Sequence, residues 1–408
     1  MKTITLIFCL ALVAFSMAAQ SVDPSTALAN FRFEQINYAG LDTPSTDFIK
    51  AIEHTLYRRY NAAEPLLRKV ARQINHPLHT VAQSYLFNDF YFVRAKYREL
   101  VTFADELQVK PPEYTLASLL AARPQLTVTL EEDSVTLPVG IHRKSRCHVF
   151  LTVIINGKPR KFMLDTGFTK SAITQQLADE LHLSPLPGIE VVNALNRSLS
   201  VPACFIDSLK IGPFDLHNFL ALRLNKSMPG LRVDGVIGWD ILQQVAYTID
   251  FKTSTLTVRQ SRPDATADKN LFGILKPFMV VETDEGQRLN LFYDSGSNGL
   301  ELSNNGLKKL NDYTTRRRIR FGFALGQAGL FWDKIVKRYR LSVSHSLLTA
   351  NKVLITKHEN FNIGIREDGI ISNKLFNTGR LTIDALNNHF HYEPNPVHSP
   401  TVIPSSSR

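Results

Sequence analysis

Two aspartates, each followed by a hydroxyl residue and a glycine, are the residues of this chain best suited to acid–base chemistry. Asp165-Thr166-Gly167 follows an apolar run that ends at Leu164, and Asp294-Ser295-Gly296 follows a second run that ends at Tyr293. Two carboxylates held together cannot both ionise easily, so they share one proton and titrate as a unit. Such a pair supplies a base and an acid for the hydrolysis of a peptide bond by water. The two triplets therefore predict carboxylates that meet.

The order of motifs around each triplet predicts two homologous lobes, residues 125–262 and 263–396. A repeat of this kind fixes the architecture more firmly than any single motif. The first triplet is followed by Thr174, Asp234-Gly235-Val236-Ile237 and Tyr247-Thr248-Ile249-Asp250, and the second by Ser303, Asp368-Gly369-Ile370-Ile371 and Leu381-Thr382-Ile383-Asp384. The first two anchors of the repeats are 129 residues apart and the later ones 134. Both aspartates are expected to end the returning strand of a hairpin, the first after an Asn156-Gly157 turn.

At these residues the chain resembles the retropepsin-like and pepsin-like aspartic proteases. That family carries an acidic triplet in each lobe and a later apolar-apolar-Gly segment, which Val236-Ile237-Gly238 matches. In the second lobe the segment reads Ile370-Ile371-Ser372, with Ser in place of Gly. The resemblance implies a mainly β fold in which two acid-protease β-barrel lobes form one cleft. It also implies a monomer with an internal pseudo-two-fold axis, and neither a cofactor nor a metal.

The same resemblance implies a role for each residue of the triplets. Asp165 and Asp294 would be catalytic, while Thr166 and Ser295 would brace the two loops by hydrogen bonds. Gly167 and Gly296 would let the backbone turn sharply and approach closely. A flap would cover the cleft, and the candidate segments are Asn193-Ala194-Leu195-Asn196 and Ala324-Leu325-Gly326-Gln327.

Composition indicates an exported globular protein. The chain has 408 residues, 44% of them hydrophobic, and a net charge of +10. Residues 1–19 have the basic start, apolar stretch and small residues of a secretory signal peptide, which predicts a periplasmic or extracellular location. No later stretch is long enough to span a membrane. Cys147 and Cys204 remain after export, either as a disulfide or as two buried thiols. The basic cluster Arg316–Arg320 is interpreted as a solvated loop rim in preference to an anion-binding surface, and no motif indicates nucleic-acid binding.

Residues 20–124 are predicted to be helical. Phe48, Ile52 and Leu56 recur at helical spacing. Tyr57 and Tyr91 lie 34 residues apart, the period of a tetratricopeptide repeat. Two degenerate repeats of that kind and a plain helical bundle packed on the lobes are equally compatible with this pattern. Residues 397–408 are rich in Ser and Pro and are predicted to be disordered.

Two functions fit the sequence. The first is an exported aspartic endopeptidase that acts on polypeptides through Asp165 and Asp294. The second is a protein that binds a peptide in a protease-like cleft without cutting it. Retention of two repelling carboxylates favours the enzyme, whereas Ser372 and the unusual residues Phe168 and Asn298 after the triplets favour the binding protein. The helical region would block the cleft as a propiece or recruit substrate.

Overall fold

The computed structural model is mainly β, with helices at the N-terminal side. It describes residues 23–143, 145, 147–192, 198–225, 232–310, 313–324, 327–356, 361–362 and 365–395. The predicted signal peptide, the predicted tail and the flap candidate Asn193–Asn196 lie outside these ranges. Within them, no helix is both long and apolar enough to cross a membrane.

The N-terminal region is helical, as its periodicity predicts. Its helices are α1 (Pro24–Ala29), α2 (Thr43–Leu56), α3 (Tyr60–Ala71), α4 (His79–Ser84), α5 (Tyr97–Glu106) and α6 (Tyr114–Leu120), with a 3₁₀ turn at Phe33–Gln35 and a π-helical segment at Tyr85–Phe92. Asp42 caps α2 by accepting a hydrogen bond from the Ser45 amide at 2.8 Å. Phe48, Ile52 and Leu56 are buried on one face of α2. The tetratricopeptide interpretation stays a prediction.

The first repeat builds a nine-stranded sheet. Its strands are β1 (Thr127–Leu130), β3 (Gly140–Ile141), β4 (Val149–Ile155), β5 (Lys158–Leu164), β6 (Ala172–Thr174), β7 (Leu186–Val192), β8 (Ser198–Ile211), β9 (Phe214–Leu224) and β10 (Gly235–Ile237). The predicted hairpin joins β4 to β5, and Asn156 and Gly157 have φ values of 49° and 73°. Positive φ at both central residues is what a tight two-residue hairpin turn requires.

The second repeat builds an eight-stranded sheet with the same local order around its aspartate. Its strands are β13 (Leu271–Phe272), β14 (Phe278–Thr283), β15 (Arg288–Tyr293), β16 (Leu300–Leu302), β17 (Thr315–Ala324), β18 (Gln327–Val343), β19 (Ser346–Ile355) and β22 (Gly369–Ile371). A separate small pair is formed by β20 (Phe361–Asn362) and β21 (Ile365–Arg366). The cluster Arg316–Arg320 lies on the edge strand β17, so the interpretation as a loop rim was wrong. Charge on an edge strand discourages pairing with other chains. The second flap candidate is the turn between β17 and β18, and its residues 325–326 lie outside the described ranges.

Both repeats contribute strands to one five-stranded sheet. It contains β2 (Ser134–Pro138), β11 (Ala246–Asp250), β12 (Thr255–Arg259), β23 (Gly379–Asp384) and β24 (His389–Pro394), with β11 and β23 as neighbours. These two strands occupy equivalent places in the repeats and pair antiparallel with Thr248 opposite Thr382. The two hydroxyl oxygens lie 2.9 Å apart. A two-fold rotation that exchanges the repeats would produce this register.

The two cysteines of the described chain are free thiols. Cys147 and Cys204 are both buried and unpaired. The disulfide alternative therefore does not apply to this structure. Burial raises the pKa of the Cys204 thiol to about 11, which keeps it protonated and unreactive at neutral pH.

Candidate functional site

Each aspartate of the triplets stands at the end of a buried strand. β5 leads to Asp165 and runs parallel to β10, and β15 leads to Asp294 and runs parallel to β22. The Asp165 amide donates to the Ile237 carbonyl at 3.0 Å, and the Asp294 amide donates to the Ile371 carbonyl at 3.0 Å. The later apolar segment of each repeat therefore holds the backbone of its own aspartate.

The helix that follows each triplet is also built in the same way twice. α7 (Gln175–Glu180) begins after Thr174, whose hydroxyl accepts from the Leu177 amide at 3.2 Å. α9 (Asn304–Lys308) begins after Ser303, whose hydroxyl accepts from the Gly306 amide at 3.2 Å. The predicted N-caps are confirmed in both repeats. A short helix, α8 (Trp239–Leu242), follows Gly238 in the first repeat.

Thr166 and Ser295 join the two loops by reciprocal hydrogen bonds. The Thr166 hydroxyl donates to the Tyr293 carbonyl at 2.6 Å and accepts from the Ser295 amide at 2.9 Å. The Ser295 hydroxyl donates to the Leu164 carbonyl at 3.2 Å and accepts from the Thr166 amide at 3.0 Å. All four groups are buried, so each bond prevents the cost of an unpaired polar group. The structure therefore brings the two predicted bracing residues together.

The carboxyl groups of Asp165 and Asp294 meet where these loops cross and share a hydrogen bond. The Gly167 amide donates to Asp165 Oδ1 at 2.9 Å, and the Gly296 amide donates to Asp294 Oδ1 at 2.9 Å. A Cβ on Gly167 would lie 2.6 Å from Asp294 Oδ1, and a Cβ on Gly296 would strike the Asp165 carboxylate. Each triplet thus needs glycine because the opposite carboxylate occupies the space of a side chain.

The two carboxyl groups differ in their electrostatic surroundings. Burial, and then the charge of Asp294, raise the pKa of Asp165 well above its usual range. Burial also raises the pKa of Asp294, but the Gly296 amide, the hydrogen bond from Asp165, the Ser297 amide and the charge of Lys276 oppose the rise. The surroundings therefore raise the pKa of Asp165 further than that of Asp294.

A histidine on one side makes the pair less symmetric. His148 Nε2 lies 2.9 Å from the Gly296 carbonyl, and Ser145 Oγ links its other ring nitrogen to His142 Nδ1. The register of the two hairpins places Lys276 at the equivalent position of the second repeat. No motif in the sequence singles out His148. Alignment of the two repeats at this position would have shown the difference.

Ser372 stands where the family has glycine, and its side chain fits there and is hydrogen-bonded. Its buried hydroxyl accepts from the Gly299 amide at 2.7 Å and from the Lys374 amide at 3.3 Å. Gly299 has a φ of +129°, a conformation that only glycine adopts easily. In the first repeat a Cβ on Gly238 would lie 2.7 Å from the Phe168 carbonyl. The second repeat therefore accommodates Ser372 by a change in the facing loop.

The loop that carries Asp165 is supported from below by a buried acid. Asp240 Oδ1 accepts from the Ser171 amide at 2.9 Å and from the Ser171 hydroxyl at 2.8 Å. The Ser171 hydroxyl in turn accepts from the Gly238 amide at 3.0 Å. Burial raises the pKa of Asp240, and the charge of the nearby Lys170 opposes the rise. No local pattern in the sequence predicts this network, because its members are about seventy residues apart.

Comparison with known proteins supports the resemblance read from the sequence. Residues 151–241, which include Asp165 and Val236-Ile237-Gly238, match the family model described as aspartyl protease. A crystal structure of a retropepsin-like aspartic protease from Rickettsia conorii is 19% identical over 34% of this chain and 96% of its own, with a TM-score of 0.24. No curated protein matches the chain. The family match thus makes this part of the first repeat similar to the aspartyl proteases.

Proposed function

We propose that this chain is an exported aspartic endopeptidase whose two repeats are lobes around one cleft. The observation that carries the proposal is the meeting of the Asp165 and Asp294 carboxyl groups on loops that Thr166 and Ser295 brace reciprocally. The substrate is a polypeptide, and no metal or cofactor is required by this chemistry. Export rests on the signal-like composition of residues 1–19.

In the proposed reaction, Asp294 is the base and Asp165 the acid. A water between the substrate carbonyl and the pair gives a proton to the Asp294 carboxylate, and its oxygen bonds to the carbonyl carbon. Asp165 gives its proton to the carbonyl oxygen, which yields a neutral tetrahedral diol. The carbon–nitrogen bond then breaks as Asp294 passes its proton to the leaving amine. One diol hydroxyl returns a proton to Asp165 as the carbonyl re-forms, so the pair ends as it began.

The rest of the site fixes the geometry of this exchange. Hydrogen bonds from the Gly167 and Gly296 amides orient each carboxyl group, and the reciprocal brace keeps the two loops at one separation. Groups that are oriented before the substrate binds need no reorganisation during the reaction. A protein that only binds peptides gains nothing from two neighbouring acids whose pKa values are raised by burial. That cost favours the enzyme over the binding protein.

Cleavage of an unfolded protein, followed by mass spectrometry of its fragments, tests the proposal. Asp165→Asn and Asp294→Asn should each lose about 10²–10⁴-fold in kcat, because each removes one step of acid–base catalysis. The double variant should be scarcely worse than either, since the pair acts as a unit. Asp207→Asn, at an exposed aspartate of the first repeat, is the matched control and should cut at the parent rate. Equal cleavage by Asp165→Asn and the parent would disprove the mechanism. Failure of the parent to cut at any pH would favour the binding protein.

A further inference from the structure

The end of the π-helical segment touches the loop that carries Asp165. Lys170 lies in that loop, is buried, and donates from Nζ to the carbonyls of Phe92 at 3.5 Å and Val93 at 3.2 Å. Burial lowers the pKa of Lys170, and the charge of Asp240 opposes the fall. The helical region is thereby fastened to one flank of the proposed catalytic pair.

The same segment also lies beside the loop that carries Asp294. Tyr85 and Asp89 line a small cavity together with Lys276, whose positive charge acts on Asp294. The Lys276 ammonium lies 4.8 Å from the centre of the Phe292 ring, on the strand that leads to Asp294. Residues of one short helical segment therefore reach the flanks of both aspartate loops.

Comparison of equivalent positions shows that the helical region covers one side of the pair. Lys170 and Lys276 correspond in the other repeat to Gly299 and His148. The Gly299 amide donates to the Ser372 hydroxyl, and His148 Nε2 lies 2.9 Å from the Gly296 carbonyl. These two contacts lie within the repeats, whereas both lysines meet the helical region.

The apolar residues around the pair show the same difference. Phe292 and Phe278 belong to the hydrophobic core of the helical region. Met163, the equivalent of Phe292, packs instead in a separate small cluster with Phe150 and Val233. The helical region thus packs beside the aspartate strand of the second repeat, whereas the equivalent place in the first repeat is packed by residues of that repeat.

The helical region is firmly packed against both repeats. Arg58 bridges the repeats by donating to Gln243 Oε1 at 3.0 Å and to the Gly273 carbonyl at 3.3 Å. The Phe31 ring stacks on that of Phe272 with centroids 4.7 Å apart. Removal of the helices would expose these buried aromatic residues to water, which soluble proteins avoid over large areas. These contacts favour a helical region that stays in place over a propiece that is cut away.

Asp89 is the residue of the helical region that is suited to binding a ligand. Its carboxyl group is partly buried, and no described residue forms a hydrogen bond or ion pair with it, although Lys276 lines the same cavity. Burial, and then the charge of Glu113, raise the pKa of Asp89 to about 7. The cavity has a volume of about 20 Å³ and has apolar walls such as Ile52 and Leu56. A carboxylate without a partner in such surroundings is costly, and a cation would remove the cost.

We propose that Asp89 binds a primary ammonium group of the peptide substrate, so that this protease cuts near the amino-terminal end. The inference rests on the proposed function and names the specificity of the same site. An α-amino end offers an ammonium group for Asp89 and an adjacent carbonyl oxygen for Lys276. A lysine side chain offers only the ammonium group. The cavity accepts a group of about the size of one water molecule, which suits an ammonium group.

Matched peptides with a free or an acetylated amino end test this specificity in the full chain. The free peptide should be cut near its amino end, and acetylation should lower kcat/KM about tenfold or more, the usual worth of a hydrogen bond to a charged group. Asp89→Asn should cause a similar loss with the free peptide and little change with the acetylated one, because the two changes remove the same contact. Glu34→Gln, at an exposed acid of the helical region, is the control and should change neither rate.

Further peptides distinguish between the possible ligands of Asp89. An acetylated peptide with a lysine near its amino end should still be cut slowly. Cleavage of this peptide at the rate of the free peptide would instead show that the site binds lysine side chains. Internal cleavage of blocked and free peptides at equal rates would overturn the proposal, as would an equal effect of Asp89→Asn on both. If the parent cuts no peptide, the proposed function fails by itself. Calorimetry of free and acetylated peptides then decides: an Asp89-dependent preference for the free amine upholds the site, and equal binding rejects it.

Discussion

Replacement of Thr166 by Val should destabilise the protein strongly, although it keeps the branched shape of the side chain. The hydroxyl donates to the Tyr293 carbonyl at 2.6 Å and accepts from the Ser295 amide at 2.9 Å. Both partners are buried between the two repeats, where water cannot replace the lost hydroxyl. Thr166→Val therefore leaves one carbonyl and one amide unpaired.

The magnitude follows from these two groups. A buried polar group without a partner costs about 1–3 kcal/mol, so the two together predict a loss of about 2–6 kcal/mol in the free energy of unfolding. This is a large part of the about 5–15 kcal/mol that holds a typical protein folded. The proposed proteolytic rate should fall as well, because the loops that hold Asp165 and Asp294 lose their brace.

Urea unfolding followed by tryptophan fluorescence measures the loss, and Thr136→Val is the matched control. Thr136 Oγ1 lies 2.8 Å from Thr257 Oγ1 on an exposed face, where water can take over the bond. The control should change the unfolding free energy by about 0.5 kcal/mol or less. If Thr166→Val costs no more than Thr136→Val, the reciprocal brace does not hold the repeats together.

Three further measurements test other parts of the structure. The folded pKa of Asp165 lies above its unfolded value, so the stability it contributes is complete at low pH and is lost as pH rises through the folded pKa. Asp165→Asn should remove this loss. Urea unfolding at a series of pH values should therefore show the stability of the variant rising relative to that of the parent as pH rises. A difference that stays constant with pH would contradict the raised pKa of Asp165. Gly238→Ala should lower the melting temperature sharply because its Cβ would lie 2.7 Å from the Phe168 carbonyl, and an unchanged melting temperature would refute that contact. Cys147 and Cys204 should react with a thiol reagent only after unfolding, and a mass lower by two hydrogen atoms before reduction would show a disulfide instead.

The duplicated core of the site could be predicted from the sequence because its motifs are local. A strand, an aspartate, a hydroxyl residue, a glycine and a helix cap follow one another twice within short distances, and each has its own physical signal. The hairpin at Asn156-Gly157 and the caps at Thr174 and Ser303 were predicted in this way and are confirmed.

The parts that escaped prediction depend on residues far apart in the chain. Arg58 reaches Gly273 across 215 positions, and Asn388 Nδ2 donates to the Leu56 carbonyl across 332 positions. Periodicity shows that a helix has an apolar face, but not which surface that face will cover. The partner of Ser372 was hidden for a similar reason, because it depends on the positive φ of Gly299.

The pH dependence of kcat/KM tests most directly the claim that Asp165 and Asp294 share one proton and act as acid and base. The parent should give a bell-shaped profile. Its acidic limb would report the ionisation of Asp294 and its alkaline limb the loss of the proton from Asp165. The raised pKa of Asp165 should keep the alkaline limb above the ordinary carboxyl range. A flat profile in the parent, or an unchanged bell in Asp165→Asn at the parent rate, would contradict the account.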